Sequence, residues 1–173
     1  LSKKVKKFKN ILIASSGSGI GISSSDLTSL DIPDDYTINV IGIVGENYKN
    51  IKFLGKIFQN EELLNNSDIL VINGGHSSIS EAICLQKPFI VIPIENHSEQ
   101  YVNSQLVLKY GFGVVSKRHE INDKLNYLIK NYDRYFQNLK KYNLPLTGAE
   151  ISVNFLYSYY MNSSLKHETI KIS

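Results

Sequence analysis

The sequence predicts an α/β domain built on a doubly wound, Rossmann-like parallel sheet, and three observations carry that prediction. The apolar runs are short and continuous rather than alternating, as in strands buried on both faces. Stretches of helical spacing separate them, the pattern of βαβ units. Glycine, proline or serine marks most of the junctions between the two. Length agrees, because 173 residues suffice for one domain with a sizeable core.

The elements follow in order. Asn10–Ser15 (NILIAS) reads as a buried strand, followed by a glycine- and serine-rich stretch, Ser16–Ser25. Ile38–Val44 is a second strand ended by Gly45, and Ile51–Leu54 a short third. Asn60–Asn66 has the length of a helix of about two turns. Asp68–Asn73 (DILVIN) is the fourth strand, and Gly74-Gly75 lead from it into a helix over Ser77–Gln86. Pro88–Ile94 is the fifth. Ser98–Tyr110 then has helical spacing at Val102, Leu106 and Tyr110, before a last strand at Phe112–Val115. Asn122–Tyr142 and Gly148–Met161 read as helices. This divides the chain into a basic linker or tail (1–9), a domain (10–162) and a polar tail (163–173).

Composition narrows the function classes. With 42% hydrophobic and 20% charged residues the chain is an ordinary globular one, which excludes disorder. Its apolar runs fall short of the ~20 residues a membrane span needs, and no charged-then-apolar signal opens it. The single cysteine, Cys84, excludes an internal disulfide; its apolar surroundings suit a buried thiol, and a cytoplasmic setting is expected. The net charge is +3, but Lys3, Lys4, Lys6, Lys7 and Lys9 exceed that by themselves, so the body is net acidic. That argues against nucleic acid as a partner. The lysine run suits either a solvated tail or attraction to an anionic membrane surface. The chain begins at Leu1, as a processed chain or a piece of a longer one would.

In a doubly wound sheet ligands bind beyond the carboxyl ends of the strands, which directs attention to three junctions. Ser15-Ser16-Gly17-Ser18-Gly19 follows the first strand; such a loop brings backbone amides close to a phosphate, although flexible loops share its composition. Asn73-Gly74-Gly75-His76-Ser77-Ser78 joins a strand to a helix, where free amides and the positive dipole end favour an anion such as a diphosphate. His76 and the hydroxyls of Ser77 and Ser78 add donors. Three residues past Ser78, the Glu81 carboxylate can accept two hydrogen bonds from a ribose diol; equally, Ser78-x-x-Glu81 has the spacing of a capping box. The third junction is Pro93–Gln100, after the fifth strand. Its acids and amides suit sugar hydroxyls, or else simply a helix start with Ser98 as cap and Glu99 facing the dipole.

The order and spacing of these residues over Asp68–Ser104 resemble the donor-binding signature of GT-B glycosyltransferases, a group that includes the macrolide and plant UDP-sugar transferases and the peptidoglycan N-acetylglucosaminyltransferase. The matching elements are Gly74-Gly75, Ser77-Ser78, Glu81-Ala82, Pro88, Pro93, Glu99-Gln100 and Asn103. Upstream, Ser15–Gly19 is similar to the family's glycine loop and Ile57-Phe58-Gln59 to its base-binding segment. The resemblance implies that Glu81 holds the ribose, and that Gly74, Gly75, His76, Ser77 and Ser78 hold the diphosphate with Ser16, Gly17 and Ser18. It implies that Glu99 and Gln100 hold sugar hydroxyls, and that Ile57 backbone groups and the Gln59 side chain contact the base.

Two departures stand out: many relatives carry His where this chain has Asn73, and the chain has no Trp for stacking a base, with Lys56 near that place. By the same resemblance the chain is the carboxyl half of a two-domain enzyme that takes a nucleotide-sugar, a UDP-sugar by expectation, as substrate. An amino-terminal domain or separate subunit would bring the acceptor and the base, and a helix at Gly148–Met161, with Phe155, Tyr157, Tyr159 and Tyr160, would cross back onto it. No residue here qualifies as the general base, and no metal-ligand spacing links the four histidines. The expectation is therefore metal-independent transfer with no cofactor. A nucleotide-sugar 2-epimerase half and a non-catalytic nucleotide-sugar-binding module are the alternatives.

Overall fold

The computed structural model describes residues 9–15, 22–142 and 152–159. The chain divides into two compact units, Leu1–Asn143 and Leu144–Ser173. In the second unit residues 152–159 are helical, inside the expected Gly148–Met161 helix, whose remaining residues, Tyr160 among them, lie outside the described ones. The lysines at 3–7 and the polar tail 163–173 also lie outside them.

The first unit holds the expected sheet. Its strands are β1 (Asn10–Ala14), β2 (Thr37–Ile41), β3 (Ile51–Phe53), β4 (Ile69–Asn73), β5 (Phe89–Ile92) and β6 (Gly113–Val115). They lie in the order β3-β2-β1-β4-β5-β6, and every ladder between them is parallel. Successive side chains on a strand face opposite ways, so one set of apolar runs fills two cores. Ile11, Ile13, Val71 and Ile90 pack on one face with Leu27, Leu125 and Leu128. Leu12, Leu70, Ile72 and Val91 pack on the other with Leu64, Ile79, Ala82, Val107 and Leu139.

The helices supplying those partners are α1 (Ser24–Thr28), α2 (Glu61–Asn66), α3 (His76–Cys84), α4 (Ser98–Tyr110), α5 (Ile121–Lys130) and α6 (Tyr132–Lys141). Three of them depart from expectation. The serine-rich stretch ends in α1, which is stabilised by a full capping box: the Asp26 carboxylate accepts from the Ser23 amide at 2.7 Å, and the Ser23 hydroxyl accepts from the Asp26 amide at 3.3 Å. Arg118 closes on the same carboxylate at 2.7 Å. Desolvation pushes the Asp26 carboxyl up, but the hydrogen bonds from Ser23 and the nearby Arg118 outweigh it and leave the group below its ordinary range. The helix expected over Asn122–Tyr142 is two helices instead. At Asn131 the side-chain amide donates to the Tyr127 carbonyl at 2.8 Å, a local bond that competes with helix continuation.

Two further devices fix the framework. The end of α4 is capped by Gly111, in the left-handed region at φ 63°, while Asn138 Nδ2 donates to the freed carbonyls of Tyr110 and Gly111 at 2.8 Å each. At the amino edge of the sheet, Asp68 Oδ2 accepts the amides of Lys9 at 3.0 Å and Asn10 at 3.1 Å. One oxygen thereby ties the entrance of β4 to that of β1.

Candidate functional site

The strand order turns between β1 and β4, since the chain builds outward through β2 and β3 and then returns to the other side of β1. At such a switch point the loops leaving two adjacent strands diverge to opposite faces and open a crevice at the carboxyl edge. Of the two loops flanking it, the one after β1 contains Ser16, Gly17 and Ser18, which lie outside the described residues. The one after β4 is Gly74–Gly75, leading directly into α3.

Gly75, not a serine, occupies the cap of α3, and having no side chain it gives the helix's opening amides no cap hydrogen bond. The helix starts at His76, so Ser77 and Ser78 lie in its first turn and the Ser78–Glu81 capping box does not form. The serine-to-glutamate spacing instead places Ser77, Ser78 and Glu81 on one helical face, at the i+4 and i+3 positions. His76, Ser77 and Glu81 are exposed. The local polypeptide partly desolvates the Glu81 carboxyl, and the Glu61 carboxylate at the start of α2 adds repulsion; both push its pKa above the ordinary glutamate value. Glu61 also lines a polar pocket with Gln59, Asn60, Glu62 and Asn65. A carboxylate pair drawn from α2 and α3 was not visible in the sequence, because nothing in the local spacing relates the two helices.

Gly74 is spoken for. Its amide donates to Gln100 Oε1 at 3.2 Å, and its carbonyl accepts from Asn103 Nδ2 at 3.0 Å. A Cβ at this position would lie 2.8 Å from the Gln100 Cβ, so only glycine lets the loop pass so close to α4. The contribution expected from Gly74 to an anion is thus corrected: its N–H points to Gln100, and the amides open to a ligand begin further along the turn.

The third junction follows β5. His97, rather than Ser98, is the cap residue of α4, and Asn96 turns the chain with φ 60°, a conformation asparagine tolerates. Glu99 is exposed in the first turn. Gln100 is 93% buried, its relative exposure being 7%, and Oε1 also accepts the Ile94 amide at 3.0 Å. In the segment after β3, Ile57 packs against the second core while Gln59 is exposed. Between them Phe58 is 87% exposed, with the Lys56 ammonium 5.2 Å from the ring centre. This aromatic face was missed in the sequence; the signal was the phenylalanine in the middle of Ile57-Phe58-Gln59. Among the described residues no group of three or more His, Cys, Asp or Glu side chains gathers as a metal site, and no helix is long and apolar enough to cross a membrane.

With this geometry in hand, comparison with known proteins is specific. The profile of the glycosyltransferase family 28 C-terminal domain matches residues 35–149. The chain belongs to that family. The match runs from β2 past α6 and takes in Gly74–Glu81 and Glu99–Asn103, while Ser16–Ser18 lie upstream of it.

A relative from Clostridium botulinum, a UDP-N-acetylglucosamine--N-acetylmuramyl-(pentapeptide) pyrophosphoryl-undecaprenol N-acetylglucosamine transferase, is 33% identical over 120 residues, which is 60% of this chain and 34% of the relative. Among solved structures, the glycotransferase of kitacinnamycin superposes with a TM-score of 0.64 at 16% identity, over 83% of this chain and 40% of that one. MurG from Acinetobacter baumannii gives 0.59 at 12% identity, over 86% and 49%. At such identities the likeness establishes the fold, that of one half of a GT-B glycosyltransferase. This family 28 domain therefore spans half or less of the length of each of these proteins.

Proposed function

We propose that this domain binds a nucleoside-diphosphate sugar, a UDP-sugar in the first instance, and presents it for transfer of its hexosyl group to an acceptor held by a partner domain or subunit. The observation that carries the reading is the start of α3: opening amides without a side-chain cap, at the switch-point crevice, with two hydroxyls and Glu81 on one face of the same helix.

Each part has a chemical role. A diphosphate set at that N-terminus meets free N–H groups, the positive end of the helix dipole and the hydroxyls of Ser77 and Ser78. His76 adds a ring N–H. As the glycosidic bond breaks, charge grows on the diphosphate oxygens, and donors fixed in place stabilise that change more than the ground state. Glu81 lies further from the helix start, where its carboxylate accepts from both hydroxyls of the ribose. The Phe58 face and Gln59 suit the base, and Glu99 suits a sugar hydroxyl. The base that deprotonates the acceptor is expected from the partner. The lysines before β1 suit an anionic membrane surface, which would bring the domain to a lipid-linked acceptor.

Titration calorimetry with UDP and with UDP-N-acetylglucosamine tests the reading. Wild-type protein is expected to bind both, and Glu81→Ala to lose at least tenfold in affinity for each while keeping its circular dichroism spectrum. Unchanged affinity in the variant removes Glu81 from the ribose. Addition of an acceptor-binding partner is expected to yield glycosylated product; release of UDP and an altered sugar without acceptor would instead mark an epimerase.

A further inference from the structure

We propose that Gln100 is a positioning residue of the donor site, which sets the diphosphate-holding turn through its side-chain carbonyl rather than by contacting the sugar. The inference rests on the nucleotide-sugar reading above and concerns how that site is held together.

The observations are geometric. Gln100 is almost wholly buried, and its Oε1 accepts two backbone amides at once, from Gly74 at 3.2 Å and Ile94 at 3.0 Å. Those amides lie just beyond the ends of β4 and β5, which pair in parallel up to Asn73 and Ile92. Past that register the ladder stops, and each N–H needs an acceptor from elsewhere because buried amides are costly to leave unpaired. One glutamine oxygen serves both.

One turn further along α4, Asn103 takes the Gly74 carbonyl at 3.0 Å. The peptide groups on both sides of Gly74 are thus fixed by the first two turns of α4. Gly74 itself leaves no room for adjustment, since a Cβ there would sit 3.0 Å from the Gln100 carbonyl oxygen. The position of Gly75 and of the first amides of α3 is therefore dictated by α4. With both lone pairs of Oε1 engaged, that oxygen has no capacity left for a sugar hydroxyl, so a sugar contact would have to come from the Nε2 hydrogens alone.

A residue that shapes the diphosphate turn and one that touches the sugar predict different affinity patterns. Gln100→Met keeps the length of the side chain and removes the acceptor; Asn103→Leu loosens the same turn from its other side. UDP and UDP-N-acetylglucosamine affinities are measured by calorimetry on wild-type protein and both variants, alongside thermal melting. Both variants are expected to weaken the two ligands by the same factor, fivefold or more, leaving the ratio of the affinities within twofold of wild type. Loss of UDP-N-acetylglucosamine affinity with UDP affinity retained in Gln100→Met would overturn the proposal in favour of a sugar contact. A lowered melting temperature with both affinities intact would overturn it in favour of a purely structural role. Should Gln100→Met fail to fold, Asn103→Leu decides between equal loss and none. Failure of wild-type protein to bind either ligand would instead refute the nucleotide-sugar reading on which the proposal stands.

Discussion

Replacing each of the adjacent glycines by alanine is predicted to give very unequal results. At Gly74 the new methyl would meet the Gln100 Cβ at 2.8 Å and its carbonyl oxygen at 3.0 Å. Neither neighbour is the end of a flexible side chain, so α4 must shift. Overpacking of this kind costs ~1–3 kcal/mol. The shift also strains the Gly74 amide bond to Gln100 and the Asn103 bond to the Gly74 carbonyl, each worth about 1 kcal/mol. Gly74→Ala is therefore expected to lose about 3 kcal/mol, which at ~2–4 °C per kcal/mol lowers the melting temperature by roughly 10 °C. At Gly75 a Cβ meets nothing within 4 Å, and φ is an ordinary −68°. There alanine loses some of glycine's advantage as a helix cap but restricts the unfolded chain by about as much, so stability should change by less than ~0.5 kcal/mol. Urea denaturation of both variants, read by far-ultraviolet circular dichroism, makes the comparison. Equal stability of the two would refute the claim that the Gly74–α4 contact is tight, and with it the reason for glycine at that position.

Two other outcomes follow from particular residues. Because desolvation and Glu61 raise the Glu81 pKa, its carboxylate protonates at a higher pH than an ordinary glutamate as the solution is acidified. UDP affinity should accordingly fall with decreasing pH through that raised value, and the share of the pH dependence that this carboxylate contributes should be missing in Glu81→Gln, as calorimetry at a series of pH values can establish. Folding carries the opposite sign: the folded state disfavours ionised Glu81, so its contribution is present at low pH and lost as pH rises through the raised pKa, and Glu81→Gln should be slightly the more stable protein at neutral pH. Gln86, two residues before Pro88 and just past the end of α3, has φ 54°. Relief of ~1–2 kcal/mol of left-handed strain, less the ~0.5–1 kcal/mol that glycine's freedom costs, predicts that Gln86→Gly gains about 0.5–1 kcal/mol in urea melts.

The strands were legible because continuous aliphatic runs such as Ile11–Ile13 and Ile69–Ile72 admit few arrangements other than burial on both faces, and their intervening helices then make the sheet parallel. Boundaries were set by forces that a local reading does not see. α1 has five residues within a serine- and glycine-rich composition, and it is secured by a cap and by Arg118, a residue 92 positions away from Asp26. The capping-box spacing at Ser78 and Glu81 was real but unused, since the chain had already entered the helix at Gly75. Glu81 and the turn before it were legible as a motif. What surrounds them was not: the Gln100 side-chain carbonyl bridges 26 residues to Gly74, and the repulsion of Glu61 on Glu81 arises only in the folded chain.

The pairing of Asp68 with Gln100 has a dynamic consequence for β4. Each provides a single oxygen to two main-chain amides, one at the strand's entrance and one at its exit. The strand is pinned at both ends to its flanking neighbours, to β1 below and β5 above, so it can neither slide in register nor fray. Amide hydrogens along β4 should be among the last in the domain to exchange with solvent, and exchange there should require opening of the whole sheet. Any motion needed to admit and release the proposed donor is then confined to the rim formed by the turns, while the sheet behind it stays still.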